Sequence, residues 1–265
     1  MKNVLISGVC GGMGNAAAKL FSENGYAVYG IDICDSCEIN GVNYAKADLS
    51  ASDGMKTAKE KFSGLKFCAI IHFAGIYNMD SLIEMPDADF EKIFRVNVFG
   101  AYRVNKAFFD QLEKGGRIIL TSSELAPLDP LPFTGIYGIT KTAVEKYADA
   151  LRMELNLLGV KVSVIRPGAV STSLLGVSTA ALDRLCDKTE LYPCNAERFR
   201  RVVNSVENKS VPPEKVARLA KKAVESRRPK YVYNLNRNFA LRLLSAMPKH
   251  FQVWIISKII SDKKR

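Results

Sequence analysis

Short runs of apolar, largely β-branched residues recur along the chain, each followed by a longer stretch in which apolar positions return every three or four residues. The runs fall at residues 3–7, 26–32, 68–74, 116–122, 160–167 and 230–235. Their near-continuous hydrophobicity predicts strands buried on both faces, because a strand with one wet face would alternate. The spacing between them predicts helices over 15–24, 53–62, 89–112, 135–158 and 213–226. Strands alternating with helices imply right-handed crossovers. The expected architecture is therefore α/β, a doubly wound parallel sheet with helices on both faces, in one domain spanning residues 1–265. Residues 173–211 carry no strand signal and mix polar with apolar positions, so they read as a helical lid over a ligand or as an ordinary surface excursion. Residues 234–265 read as a basic amphipathic extension.

Composition changes this picture little. With 48% hydrophobic and 25% charged residues and a mean hydropathy of −0.01, the chain has the make-up of a globular protein. No apolar stretch approaches the roughly 20 residues of a membrane-crossing helix, and Val4, Leu5 and Ile6 follow Met1 too closely to leave room for a signal peptide. A cytoplasmic location is expected. The net charge of +11 is unevenly held: 18 of the 38 basic residues but only 4 of the 27 acidic ones lie between 198 and 265. Such a charge belongs to the tail, and no nucleic-acid partner is expected. Cysteines stand at 10, 34, 37, 68, 186 and 194. Cys34 and Cys37 form a C-x-x-C with no second pair or nearby histidine in sequence, so reduced structural thiols and no metal are expected.

Candidate chemistry starts at the first turn, "SGVCGGMG", where glycines 8, 11, 12 and 14 lie between a predicted strand and a predicted helix. Glycine lets backbone N–H groups approach a pyrophosphate, and a helix N-terminus adds unpaired donors and partial positive charge. The next strand ends in Asp32, 24 residues beyond Gly8, where a carboxylate can accept both hydroxyls of an adenosine ribose and would repel a 2′-phosphate. Neither Gly11 nor Ile33 supplies a neutralising cation, so NAD is favoured over NADP. Further on, "YGITK" sets Tyr137 and Lys141 one helical turn apart. An ammonium beside a phenol stabilises the phenolate, which would let Tyr137 exchange a proton with a substrate oxygen. The strand before it ends in Ser122 and Ser123, at the sheet edge where such folds bind ligands.

In the order and spacing of these motifs the sequence resembles the short-chain dehydrogenase/reductase family, from Lys2 to about Tyr233. The resemblance implies a Rossmann fold and a nicotinamide cofactor. It aligns Ser7 with the family's threonine and Gly8, Gly12 and Gly14 with its three glycines, Met13 lying between the last two at the cofactor. In "ADLS" it implies Asp48 at the adenine with Leu49 beside it, and in "HFAG" it implies Ala74 and Gly75 along the cofactor. In "RPGAVST" it implies Pro167, Gly168, Val170 and Thr172 around the nicotinamide, and it carries Ile33 as the neighbour of the acid. Its catalytic set falls on Asn97, Ser123, Tyr137 and Lys141, with Ser122 as the alternative serine. Lys141 would also bind the nicotinamide ribose, and Asn97 would anchor a water linking Lys141 to solvent.

Two departures stand out. The family's N-N-A-G is "HFAG" here, so His72 and Phe73 replace two asparagines. His72 ends a buried strand and reads as a satisfied core histidine rather than a base. Ser123 and Tyr137 are 14 residues apart, one more than the family's usual spacing. Leu125, Leu128, Leu131 and Phe133 in that interval, with the leucines, alanines and Tyr192 of the next variable segment, imply an apolar pocket. The long lid and tail resemble the hydroxysteroid and retinol dehydrogenase branch, which implies a steroid, bile acid or retinoid substrate. A smaller acyl or keto substrate, and a non-catalytic NAD-binding sensor of the same fold, remain as alternatives. The family implies a homodimer or homotetramer through the helices around Val104 and Val144. The apolar and basic tail reads as packing on its own chain or on a partner subunit, ahead of peripheral contact with an anionic membrane.

Overall fold

The computed structural model describes residues 1–207 and 210–261, and the side chains of 173–179 and 204–207 fall outside that description. Parts of the expected lid (208–209) and of the expected tail (262–265) lie outside the described residues as well. One seven-stranded parallel sheet runs through the molecule in the order β3-β2-β1-β4-β5-β6-β7. Its strands are β1 Lys2–Ser7, β2 Tyr26–Asp32, β3 Val42–Lys46, β4 Phe67–His72, β5 Leu112–Thr121, β6 Lys161–Pro167 and β7 Val232–Leu235. The order reverses between β1 and β4, which opens a crevice beyond their carboxyl ends.

Alternation along the central strands divides the core into two layers. Val4 and Ile6 of β1 and Ile71 of β4 face α1 (Gly12–Glu23) and α8 (Pro213–Glu225), where Ala17, Phe21, Val216 and Ala220 are fully buried. Leu5 and Ile70 face the other way, onto Phe62 at the end of α2 (Lys56–Lys61) and Val104 and Phe108 of α4 (Gly100–Phe108). Ile118, Leu120 and Val164 continue this layer against Val144 and Ala148 of α5 (Gly135–Asn156). Burying each such aliphatic or aromatic side chain contributes roughly 1.5–3 kcal/mol, so the two layers hold the strand register and with it the positions of the strand ends. Val104 and Val144 are themselves core residues, and on those helices Tyr102, Ile139 and Met153 are the large apolar side chains that remain exposed.

Two expectations need correction. A strand absent from the sequence pattern, β3, sits at the sheet edge with a half-wet alternation in place of a continuous apolar run. The long helix expected over 89–112 is four pieces: α3 Asp87–Phe94, a π-helical turn Arg95–Phe99, α4, and a 3-10 turn Phe109–Gln111, after which β5 already begins at Leu112. Within 173–207 lie two helices, α6 Ser173–Lys188 and α7 Pro193–Glu207, as the helical reading of this segment expects. Beyond β7 the tail forms α9 Phe239–Ser245 and α10 Lys249–Ile260. α10 packs on its own chain through Ile260 and Ile256, against the cluster of α6 and α7, and through the buried Gln252, whereas Phe251 and Trp254 are exposed on this chain.

Candidate active site

The glycine turn is tight for a geometric reason. Gly8 has φ +75°, and a Cβ there would stand 2.4 Å from the Ala74 nitrogen; a Cβ on Gly14 would stand 2.0 Å from the Gly8 carbonyl oxygen. The first residue needs the left-handed region and the second lets α1 start directly above the loop. α1 begins with no side-chain cap and no acidic residue in its first turn, so its leading N–H groups are open to an anion. The Asp32 carboxylate stands beside this turn, accepting from the Cys10 N–H at 2.9 Å and from the Ile33 N–H at 2.7 Å. Each oxygen keeps a further lone pair for a ribose hydroxyl. Ile33 itself is exposed. The cation paired with Asp32 across the β2–β3 register, Lys46, is bonded to Asp35 at 2.5 Å.

The other expected cofactor residues gather along the same edge. Asp48 follows β3 and accepts from the Ser50 N–H, while Leu49 packs on Gly100 and its carbonyl accepts from Arg103. The Ala74 N–H donates to Ser7 at 3.0 Å, holding the β4 exit against the glycine turn. Met13, Gly75, Pro167, Gly168, Val170 and Thr172 line one cavity, and a Cβ on Gly12 would meet the Thr172 methyl at 2.6 Å. An open helix N-terminus, an acceptor at the β2 tip and a cleft between them fit a dinucleotide.

Ser123, Tyr137 and Lys141 meet in that cavity, all three buried. The Ser123 hydroxyl stands near the Tyr137 phenol, close enough to act on it. Ser122 lines the same cavity, but its hydroxyl donates to the Lys141 carbonyl at 3.3 Å. The Lys141 ammonium donates to the Thr121 carbonyl at 3.0 Å and lies 5.6 Å from the centre of the Tyr137 ring. Burial pushes the Tyr137 phenol well above its usual range, with the neighbouring Ser123 hydroxyl opposing, and burial pulls Lys141 down to about 8. Asn97 lies on the π-helical turn, a distortion common at functional sites. Its amide accepts from the Ile76 N–H at 2.8 Å and donates to the Ile76 carbonyl at 3.0 Å and to Thr140 at 3.1 Å. Asn97 thereby locks the β4 exit onto α5 one residue from Lys141.

Several site residues carried no signal in the sequence. The Tyr77 ring lies 4.4 Å from that of Tyr137. Glu124, next to Ser123, is buried, which raises its pKa, and it accepts the Asn238 N–H at the start of α9 at 2.6 Å. Arg166 grips Glu145, one turn after Lys141, with two bonds of 2.6 and 2.5 Å, fixing α5 on β6. Around the reacting groups the cavity, of about 200 Å³, is walled by Met79, Leu125, Leu131, Phe199, Val203 and Leu241. The first wall comes from the β4 exit, the leucines at 125 and 131 from the serine–tyrosine interval, and the last three from α7 and α9. α6 is latched to the β4 exit by Lys188 on the buried Asp80 carboxylate at 2.5 Å, and Glu84 receives the Thr189 hydroxyl and the Glu190 and Leu191 N–H groups. His72 is buried, its Nε2–H directed at Asn105 Oδ1 at 2.9 Å, and burial pulls its pKa down to about 4. It is a neutral core residue.

Comparison with known proteins agrees with this geometry. The chain is similar to the NADPH-dependent 1-acyldihydroxyacetone phosphate reductase of Schizosaccharomyces pombe, 31% identical over 192 residues that cover 68% of this chain and 65% of that protein. It is 25% identical over 231 residues to the 3-ketodihydrosphingosine reductase of Bacteroides thetaiotaomicron, covering 86% and 85%. A solved short chain dehydrogenase family protein from Francisella tularensis superposes with a TM-score of 0.73 at 21% identity, covering 89% of this chain and 96% of that one, and shares its fold. The sequence model of the short chain dehydrogenase family matches residues 2–182, from β1 through Tyr137 and Lys141 into α6, and the chain belongs to that family of oxidoreductases.

Proposed function

We propose that the protein is an NAD-dependent dehydrogenase/reductase interconverting a secondary alcohol and a ketone on a hydrophobic molecule, with a hydroxysteroid, bile acid or retinoid as the leading class. The observation that carries this reading is the convergence of Ser123, Tyr137 and Lys141 in one apolar cavity, with the Lys141 ammonium 5.6 Å from the centre of the Tyr137 ring. A bound nicotinamide supplies or accepts the hydride. Ser123 holds the substrate oxygen, and Tyr137 passes a proton to or from it. In oxidation the alcohol proton goes to the Tyr137 phenolate, and in reduction the phenol gives its proton to the ketone oxygen. Lys141 supplies positive charge next to the phenolate, and at about 8 its pKa leaves it mostly protonated at neutral pH. Asn97 acts by holding the β4 exit and α5 in register.

The preference for NAD rests on Asp32 at the β2 tip and on the engagement of Lys46 by Asp35. A relative bearing the name NADPH-dependent makes this the point most in need of measurement. The apolar walls support a lipophilic substrate, and the two relatives are named for an acylated and a sphingoid ketone. A non-catalytic sensor would need the nucleotide turn but none of the buried serine, tyrosine and lysine. The deciding experiment follows reduced-nicotinamide absorbance with NAD and with NADP against steroids, bile acids, retinol, acyl ketones and short alcohols. Turnover of a hydrophobic alcohol that falls about 10²–10⁴-fold in Tyr137→Phe, with nucleotide binding kept, is expected. Retained turnover in that variant refutes the role of Tyr137, and nucleotide binding without any turnover favours the sensor.

A further inference from the structure

Three thiols and a carboxylate converge at the nucleotide end of the sheet. Cys10 comes from the glycine turn, Asp32 from the β2 tip, and Cys34 and Cys37 from the irregular segment after it. The ligand atoms of Cys10, Asp32 and Cys34 all lie within 4.8 Å of one another, and the Cys37 thiol is near enough to that of Cys10 to act on it. Around a tetrahedral zinc with bonds of about 2.0–2.3 Å, ligand atoms stand roughly 3.3–3.8 Å apart, so those first three need to close by only about 1 Å, with Cys37 swinging in as the fourth. Cys34 is exposed and Cys37 half-buried, on a segment without regular structure, so both side chains can turn inward. The Tyr44 hydroxyl donates to the Asp32 and Cys34 carbonyls and pins the start of that segment beside the carboxylate.

We propose that Cys10, Cys34, Cys37 and Asp32 form a zinc site that overlaps the ribose end of the nucleotide cleft, so that zinc and NAD exclude each other. Three soft thiolates and one carboxylate make a closed four-ligand set of the kind zinc prefers, leaving no open position for catalysis. Binding is a proton exchange with no redox change: one zinc ion displaces three thiol protons and takes the carboxylate already ionised. The net charge of the group goes from −1 to −2. The Cys10 and Cys34 sulfurs stand close to the Asp32 carboxylate, so a divalent cation among them offsets the repulsion between the ionised ligands. The antagonism rests on the reading of Asp32 as the ribose acceptor, whereas metal binding itself does not; by linkage, zinc must weaken NAD by the factor by which NAD weakens zinc.

The test uses the full chain, reduced with a phosphine and stripped of metal. Titration with zinc alone is expected to saturate at one ion per chain with release of about three protons. Cobalt(II) alone is expected to give the intense thiolate-to-metal charge-transfer band of a tetrahedral sulfur-rich site. Cys34→Ser/Cys37→Ser, in exposed and half-buried positions, should fold normally, bind NAD normally and lose both signals. NADH binding, read by nucleotide fluorescence, should weaken at least tenfold in zinc-saturated wild type and stay unchanged in the double variant. No stoichiometric metal, or metal signals that survive the double variant, overturns the site. Metal bound at these cysteines with NADH affinity unchanged overturns the antagonism, and failure of NADH to bind the metal-free protein speaks instead against the dinucleotide reading.

Discussion

His72 offers a sharp test of the departure at "HFAG". Its ring is buried and satisfied by Asn105, whose own amide donates to the Tyr147 hydroxyl at 3.0 Å. Burial holds the folded pKa at about 4 against 6.5 for the free side chain. A depressed histidine contributes nothing unfavourable above pH 6.5, where both states are neutral. As pH falls the unfolded chain takes up a proton that the folded one refuses, so stability is lost from 6.5 down to about 4 and then levels off. Linkage gives a loss of about 2 kcal/mol between pH 7 and 5, rising to about 3 kcal/mol in full. Moving the folded pKa by one unit changes the value at pH 5 only slightly, because the unfolded state already dominates the proton uptake there.

The matching perturbation is His72→Gln, which keeps an amide N–H near the Nε2 position and removes the titration. Urea unfolding followed by far-UV circular dichroism at pH 7 and pH 5 should show the wild type losing about 2 kcal/mol more than the variant over that interval, the other titrating groups cancelling in the difference. The variant should keep turnover within a few-fold. Equal pH dependence in the two proteins would refute the buried neutral histidine, and loss of turnover by 10²-fold or more would restore His72 as a proton-transfer group.

Three other outcomes follow from the site. Asp32→Ala removes a charged acceptor of two ribose hydroxyls, worth about 1.5–3 kcal/mol per bond, so NADH affinity should fall at least tenfold while NADPH changes less; equal losses by fluorescence titration would contradict the assignment. Gly14→Ala places a methyl 2.0 Å from the Gly8 carbonyl, a backbone atom that cannot turn aside, so α1 must lift and nucleotide-induced thermal stabilisation should vanish. Lys188→Ala leaves the buried Asp80 carboxylate without its cation, and hydrogen exchange in α6 should quicken, with KM for a hydrophobic substrate raised more than kcat falls.

What the sequence revealed and what it concealed follow one physical division. Central strands bury both faces, so β1, β2, β4, β5 and β6 carry continuous apolar runs, and residues at their ends inherit a known place at the sheet edge. Asp32, Ser123 and the Pro167–Gly168 turn were legible for that reason, and Tyr137 and Lys141 because one helical turn fixes their relation. The edge strand β3 escaped because only Ala45 of its five residues is fully buried. The helix expected through 89–112 concealed its breaks because the π turn at Asn97 keeps an apolar rhythm while adding a residue to the turn.

Contacts made across long sequence separations left no local mark at all. Arg166 on Glu145 and Glu124 on α9 are read only from the fold, and the same holds for the cysteines. In sequence Cys34 and Cys37 are a solitary pair, 24 residues from Cys10; in space the register of β1 with β2 sets the two loops side by side, Ser7 against Ile31. The turn that opens α1 to an anion and the strand tip that presents Asp32 are thus the same two elements that gather the thiols. Any cation held by those thiols must draw on the carboxylate that the ribose needs, so nucleotide affinity and metal affinity at this edge are bound to vary inversely.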